Sequence, residues 1–250
     1  MTQSLMWIGF ATFFVASLTA GVRLVALWWR NRQLPELLIG LGVLGIGPVG
    51  FGCMTLGQTL HADHDFASRV VFGIGIFAAS GGAFAQYIFN YTVYHPNSRV
   101  VRRLVQVAGV GLLACCIWVW VASGFAKVQH VDASYLVRSV LQVSCLLWGS
   151  IEALRYWRMM RRRGRLGLAD PVVTNRFFLW GVGAGAAGVG TVVGITAQML
   201  IGRPPLEIPW VTLSSSMHGL VAAVAMWFAF LPSEAYRRFL LKRAERHAQT

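Results

Sequence analysis

Few residues in this 250-residue chain could do chemistry, and most of those are polar but uncharged. Gln86 and Asn90 are four apart, so a helix puts them on one face. Gln142 and Ser144 stand close together, and Thr191 and Gln198, seven apart, nearly share a face. Ser214, Ser215, Ser216 and His218 crowd one short stretch. Amides and hydroxyls converging from several helices make a pocket that orients a small polar ligand by hydrogen bonds. The expected lining is Gln86, Asn90, Gln142, Thr191, Gln198, Ser215 and His218. The plainer role for the same groups is hydrogen-bonded glue between apolar helices.

Two further constellations carry charge. Arg23, Glu36, Glu152 and Arg176 fall near the same ends of four apolar runs. Buried ionisable groups in such runs usually pair, so a latch joining Arg23 or Arg176 to Glu152 and Glu36 is expected. His61, Asp63 and His64 stand in one connecting segment and His130 in another. Imidazole and carboxylate suit zinc and similar ions. With no H-E-x-x-H and no second cluster, a solvated acidic loop is the simpler reading.

Several cofactors are argued against, and none is expected. The only lysines are Lys127 and Lys242, both outside the apolar runs, so a retinal Schiff base has no amine. His218 is the only histidine inside an apolar run, which leaves a bis-histidine haem without its second ligand. No G-x-x-x-x-G-K-[ST] occurs, so the glycine-rich runs are not phosphate loops. Cys53, Cys115, Cys116 and Cys145 lie inside apolar runs, form no C-x-x-C, and read as packing residues.

The elements that must position these groups follow from composition. Hydrophobic residues make up 56% of the chain and charged residues 12%, with a mean hydropathy of +0.58. Soluble domains carry about 25% charged residues. The pattern excludes a soluble fold, a disordered chain and a disulfide scaffold. It predicts an all-α polytopic integral membrane protein, a bundle of seven transmembrane helices. The predicted spans are 5–27, 34–55, 66–91, 104–125, 135–157, 174–200 and 209–231. Residues 1–231 form the membrane domain, and residues 232–250 form a basic amphipathic tail on the anionic cytoplasmic leaflet.

Charge then sets orientation. Of the 22 Lys and Arg residues, 18 fall on the side of the tail and 4 on the other side. The excess marks the cytoplasmic side, so the N-terminus is outside and the C-terminus inside. The net charge of +13 is thereby an orientation signal, and no nucleic-acid partner is expected. Trp7 and Trp210 mark the outer boundary, and Trp28, Trp29, Trp157 and Trp180 the inner one. With 20 Arg to 2 Lys, the composition suggests a bacterial cytoplasmic (inner) membrane.

A weak 3+1+3 repeat is also expected. Basic residues followed by a proline recur after helix 1 (Arg23 to Pro35) and helix 5 (Arg155 to Pro171), and helices 2 and 6 are both rich in glycine. Pro48 adds a mid-membrane kink to helix 2. Sugar-facilitator and PQ-loop proteins share this seven-helix count. Their Pro-Gln pairs are absent here, where Pro35 precedes Glu36 and Pro171 precedes Val172, so the chain is not assigned to them.

The leading functional expectation is a small ligand bound within the bundle of a receptor-like sensor or uncoupled facilitator, and not an enzyme. The alternative is a structural, assembly or regulatory protein whose basic cytoplasmic face meets lipids or an acidic membrane or cytoplasmic protein. A metal-dependent membrane hydrolase comes third. The topology has a direct check. A fluorescent protein fused after Thr250 will be bright, and an export-dependent phosphatase fused there inactive. The opposite pattern would invert the orientation.

Overall fold

A bilayer offers the backbone no water, so an apolar run must satisfy its own N–H and C=O groups as helix. In the computed structural model every regular element among the described residues is helical. The structure describes residues 2–60, 65–125, 132–164, 166–203 and 207–248. The helices are α1 (Thr2–Asn31), α2 (Leu34–Leu60), α3 (Asp65–Tyr94) and α4 (Arg99–Ser123). They continue with α5 (Ala133–Gly164), α6 (Pro171–Ile201), α7 (Pro209–Phe230) and a terminal α8 (Glu234–Ala248).

Six of these helices, α1 to α4 with α6 and α7, are long and apolar enough to cross a membrane. The chain is a multi-pass, all-helical membrane protein. The remaining long helix, α5, has 32 residues but is more polar, carrying Arg138, Gln142 and Glu152 before its basic end. Sequence periodicity makes it a seventh span of the same kind; the structure sets it apart by polarity.

Local signals fix several ends. Ser98 caps α4 by accepting from the Val101 N–H, and Asp170 caps α6 by accepting from Val172 and Val173. Gly124 and Gly202 end α4 and α6 in the left-handed conformation that glycine adopts without strain. One boundary differs from expectation. Helix α5 continues through its basic cluster, so Arg161, Arg162 and Arg163 project as an exposed helical end instead of lying in a loop.

The packing order is a ring. Helix α1 contacts α2, α2 contacts α3, α3 contacts α5, α5 contacts α6, α6 contacts α7, and α7 closes on α1. Helix α4 lies outside the ring against α3 and α5. Helix α8 returns to α6, where the Asn175 amide donates to the Tyr236 hydroxyl at 2.9 Å. Tyr236 also packs its ring on Phe228, at 4.8 Å.

Small residues let α2 lie directly on α3. A Cβ at Gly45 would sit 2.6 Å from the Ala78 carbonyl oxygen, and one at Gly75 would sit 2.7 Å from the Gly50 carbonyl oxygen. Between these contacts α2 widens into a π-helical segment, Gly45–Phe51, containing Pro48. Proline has no N–H to donate and its ring crowds the preceding turn. The wider turn accommodates it where a kink is expected from sequence. Helix α6 runs uninterrupted through its own glycines, so the break is confined to α2.

Neighbouring glycines on α3 provide the test. A Cβ at Gly82 would lie 2.8 Å from the Ile46 nitrogen, whereas one at Gly81 would meet nothing within 4 Å. Gly82→Ala should destabilise by about 1–3 kcal/mol through overpacking. Gly81→Ala should be neutral or stabilise by up to about 1 kcal/mol through helix propensity. Thermal unfolding in mild detergent separates the two.

Candidate functional site

Six helices of the ring converge on a central cavity of about 50 Å³. Its walls are mostly small and apolar, with Gly42 and Gly47 from α2, Gly183 and Ala184 from α6, and Ala222 and Met226 from α7. Three polar side chains reach it, namely Ser17 on α1, Gln86 on α3 and Trp180 on α6. The Ser17 hydroxyl is occupied by its own helix, donating to the Phe13 carbonyl at 2.6 Å. The Trp180 indole Nε1 is buried and makes no hydrogen bond. A buried N–H without an acceptor is costly and unusual, so this one stands out.

Gln86 belongs to a chain of polar contacts that ties α3 to α5. Its Nε2 donates to Asn90 Oδ1 at 3.2 Å, and Asn90 Nδ2 donates to the Cys145 carbonyl at 3.1 Å. Two glycines make room for these amides. A Cβ at Gly149 would lie 3.0 Å from Asn90 Oδ1, and one at Gly42 would lie 3.2 Å from Gln86 Oε1. Beside them the Tyr87 hydroxyl donates to the Leu141 carbonyl at 2.8 Å and meets the Ser144 hydroxyl at 2.6 Å. The four-residue spacing of Gln86 and Asn90 thus puts both on the face that meets α5.

The other expected ligand residues lie elsewhere. Gln142 sits nearer the amino end of α5, where its Oε1 accepts from Arg138 Nη1 at 3.1 Å. Thr191 donates to its own helix at Ala187, 2.9 Å away. His218 packs against Gly190 of α6, and its Nδ1–H donates to the Ser214 carbonyl at 2.7 Å. Gln198 is buried near the end of α6, and Ser215 lies partly exposed on α7. The seven residues therefore do not form one pocket. Gln86 lines the cavity, Asn90 supports it, and the rest are distributed along the helices.

The four charged latch residues also separate. Glu152 is engaged by His95 Nε2 and Arg155 Nη1, each at 3.2 Å, in place of Arg23 or Arg176. The reason is reach: Arg155 follows three residues later on the same helix, and His95 directly follows the end of α3. The His95 ring stacks on Trp148 at 6.1 Å. Arg23, Glu36 and Arg176 do share one electrostatic neighbourhood, yet no ion pair within 4.0 Å joins them among the described residues. Glu36 Oε2 is buried without a hydrogen bond. The metal-ligand candidates His61, Asp63, His64 and His130 lie outside the described residues.

Sequence reasoning missed three participants. Trp180 reads as an interfacial anchor but lines the cavity. His95 reads as part of a loop but reaches Glu152. Arg138 counts as an outer-side charge, yet it is 1% exposed within the bundle. Its four-residue spacing to Gln142 is the one signal that could have revealed it.

Compared with protein-family models, curated proteins and solved structures, the chain matches none.

The geometry separates structural amides from bystanders. Asn90→Ala removes two buried hydrogen bonds and should cost about 1–3 kcal/mol. Thr191→Val removes only a bond within its own helix and should change stability by less than about 0.5 kcal/mol. Denaturation in detergent checks both. Equal losses would remove the distinction.

Proposed function

We propose that all seven long helices cross a bacterial cytoplasmic membrane and that the bundle binds a small polar ligand at its centre, as a receptor-like sensor or an uncoupled facilitator. The observation that carries this reading is the central cavity at the meeting of six helices, lined by Gln86 and by Trp180, whose buried indole N–H has no partner. An amide and an indole N–H together orient a polar molecule in an otherwise apolar site.

Size limits the ligand. Drug-sized molecules occupy pockets of about 300–1,000 Å³. A cavity of about 50 Å³ holds a few waters or a solute of a few heavy atoms. The π-helical segment lies against this cavity, with Gly47 in both. Such wide turns are frequent at functional sites. A larger solute would require α2 to shift there, where glycines place few side chains in the way.

The excess of positive residues supports an outside N-terminus and an inside C-terminus. A second reading rests on the exposed helical end of α5, where Arg161, Arg162 and Arg163 project beyond the bundle. That end would contact anionic lipid or an acidic protein in an assembly role.

Native mass spectrometry of the protein in mild detergent distinguishes these readings. The wild type should carry a stoichiometric small molecule that Gln86→Leu loses. The same mass in both proteins would contradict the cavity reading. An accompanying protein lost on Arg161→Glu and Arg162→Glu would favour the assembly role.

A further inference from the structure

Among the described residues one formally charged side chain is fully buried, and it is positive. Arg138 on α5 is 1% exposed and is the largest fully buried side chain. All its partners are neutral. Nη1 donates to Gln142 Oε1 at 3.1 Å and, at the limit of hydrogen bonding, to Ser80 Oγ at 3.4 Å. The guanidinium also lies 5.4 Å from the centre of the Tyr135 ring. Its Nε is buried with no hydrogen bond, and both hydrogen bonds that the guanidinium makes among the described residues are donated by Nη1. Among the described residues no carboxylate lies within 4.0 Å of it.

An arginine in this setting is expensive unless a negative charge balances it. The amino end of α5 is about 8 Å away, five residues at 1.5 Å each. That electropositive end is met by the Asp132 carboxylate, which accepts from the Ser134 hydroxyl at 2.6 Å and the Tyr135 N–H at 2.7 Å, and which forms no ion pair with Arg138 within 4.0 Å.

We propose that Arg138 is the anchor of an anion-binding site, and that the ligand of this protein is a small monoanion with a planar pair of oxygens, of the carboxylate or nitrate type. The free Nε and Nη2 form the side-on fork of N–H donors that such a pair of oxygens takes bidentately. The proposal rests on the small-ligand reading above and gives it a charge class.

One face of α5 connects the site to the cavity. Arg138, Gln142, Cys145 and Gly149 recur at spacings of four, three and four along α5, facing α3 at Ser80, Asn90 and Gln86. This polar seam descends about 16 Å, at 1.5 Å per residue, from the guanidinium to the cavity amides.

The test is thermal unfolding of the full-length protein in mild detergent, followed by tryptophan fluorescence. Potassium nitrate or potassium formate replaces potassium gluconate, a bulkier anion, at constant ionic strength. The wild type should show a saturable rise in Tm of about 3–6 °C at ten times the half-saturating concentration. Arg138→Gln should show no rise. Arg138→Lys keeps the charge but not the fork, and should need about tenfold more nitrate. If Arg138→Gln fails to fold, the lysine variant decides, and an unchanged half-saturating concentration overturns the proposal. No rise in the wild type, or an equal rise in Arg138→Gln, also overturns it. A bound molecule lost from Gln86→Leu while nitrate has no effect would retain the cavity and remove the anion. A nitrate response through Arg138 with no molecule lost from Gln86→Leu would retain the anion site and remove the cavity.

Discussion

The constraint on which the architecture depends is the polar face of α5. Arg138, Ser139, Gln142 and Ser150 are all buried on it, and lipid would leave each without a partner. Protein must therefore surround that face. Helix α3 supplies Ser80 and Asn90, and α6 supplies the Gly181 carbonyl, which accepts from the Ser150 hydroxyl at 2.7 Å. Helix α4 lies across the outside of α3 and α5. A helix too polar to be an independent span thus sits where three others touch it. In our reading it crosses the membrane because they do.

A second consequence concerns α3. To serve α5 on one side and α2 on the other it must be thin, and it carries Gly73, Gly75, Ala79, Gly82 and Ala83. The backbones of α2 and α3 then meet at Gly45 and Gly82, and the π-helical turn of α2 lies opposite. Small residues on α2, α6 and α7 leave the centre incompletely filled, and the cavity forms there. Side chains of ordinary size at Gly42 or Gly183 would press on Gln86 or Ala225. Close packing and the cavity therefore have one origin: where glycines meet backbone they bring helices together, and where they meet across the axis they leave space.

Much of this was legible in the sequence because it depends on local rules. The apolar runs, the Asp170–Pro171 helix start, the tail helix and the shared face of Gln86 and Asn90 all follow from spacing. What failed depends on rotation about each helix axis. Thr191 and His218 have the right types and the right depth, but their polar atoms turn back onto their own carbonyls. Arg138 stands five residues into α5, close enough to a helix end to pass for a surface charge. Only its contacts with Ser80 and Gln142 reveal the burial. Glu152 likewise had nearer partners than the distant arginines expected for it, one of them a histidine beyond the end of α3. Hydropathy sets α5 apart from the six apolar spans, although α3, α4 and α6 all pack against it.

The most direct measurement addresses the two ends of α5. In a chain whose four cysteines are replaced, single cysteines are introduced as Ala133→Cys and Gly164→Cys, at the exposed ends of the helix. A membrane-impermeant maleimide is then applied to sealed vesicles of known orientation. The account predicts labelling of the first from outside only and of the second from the cytoplasmic side only. Labelling of both from one side would mean that α5 does not cross. That result would contradict the seven-span reading and remove the buried setting on which the reading of Arg138 depends.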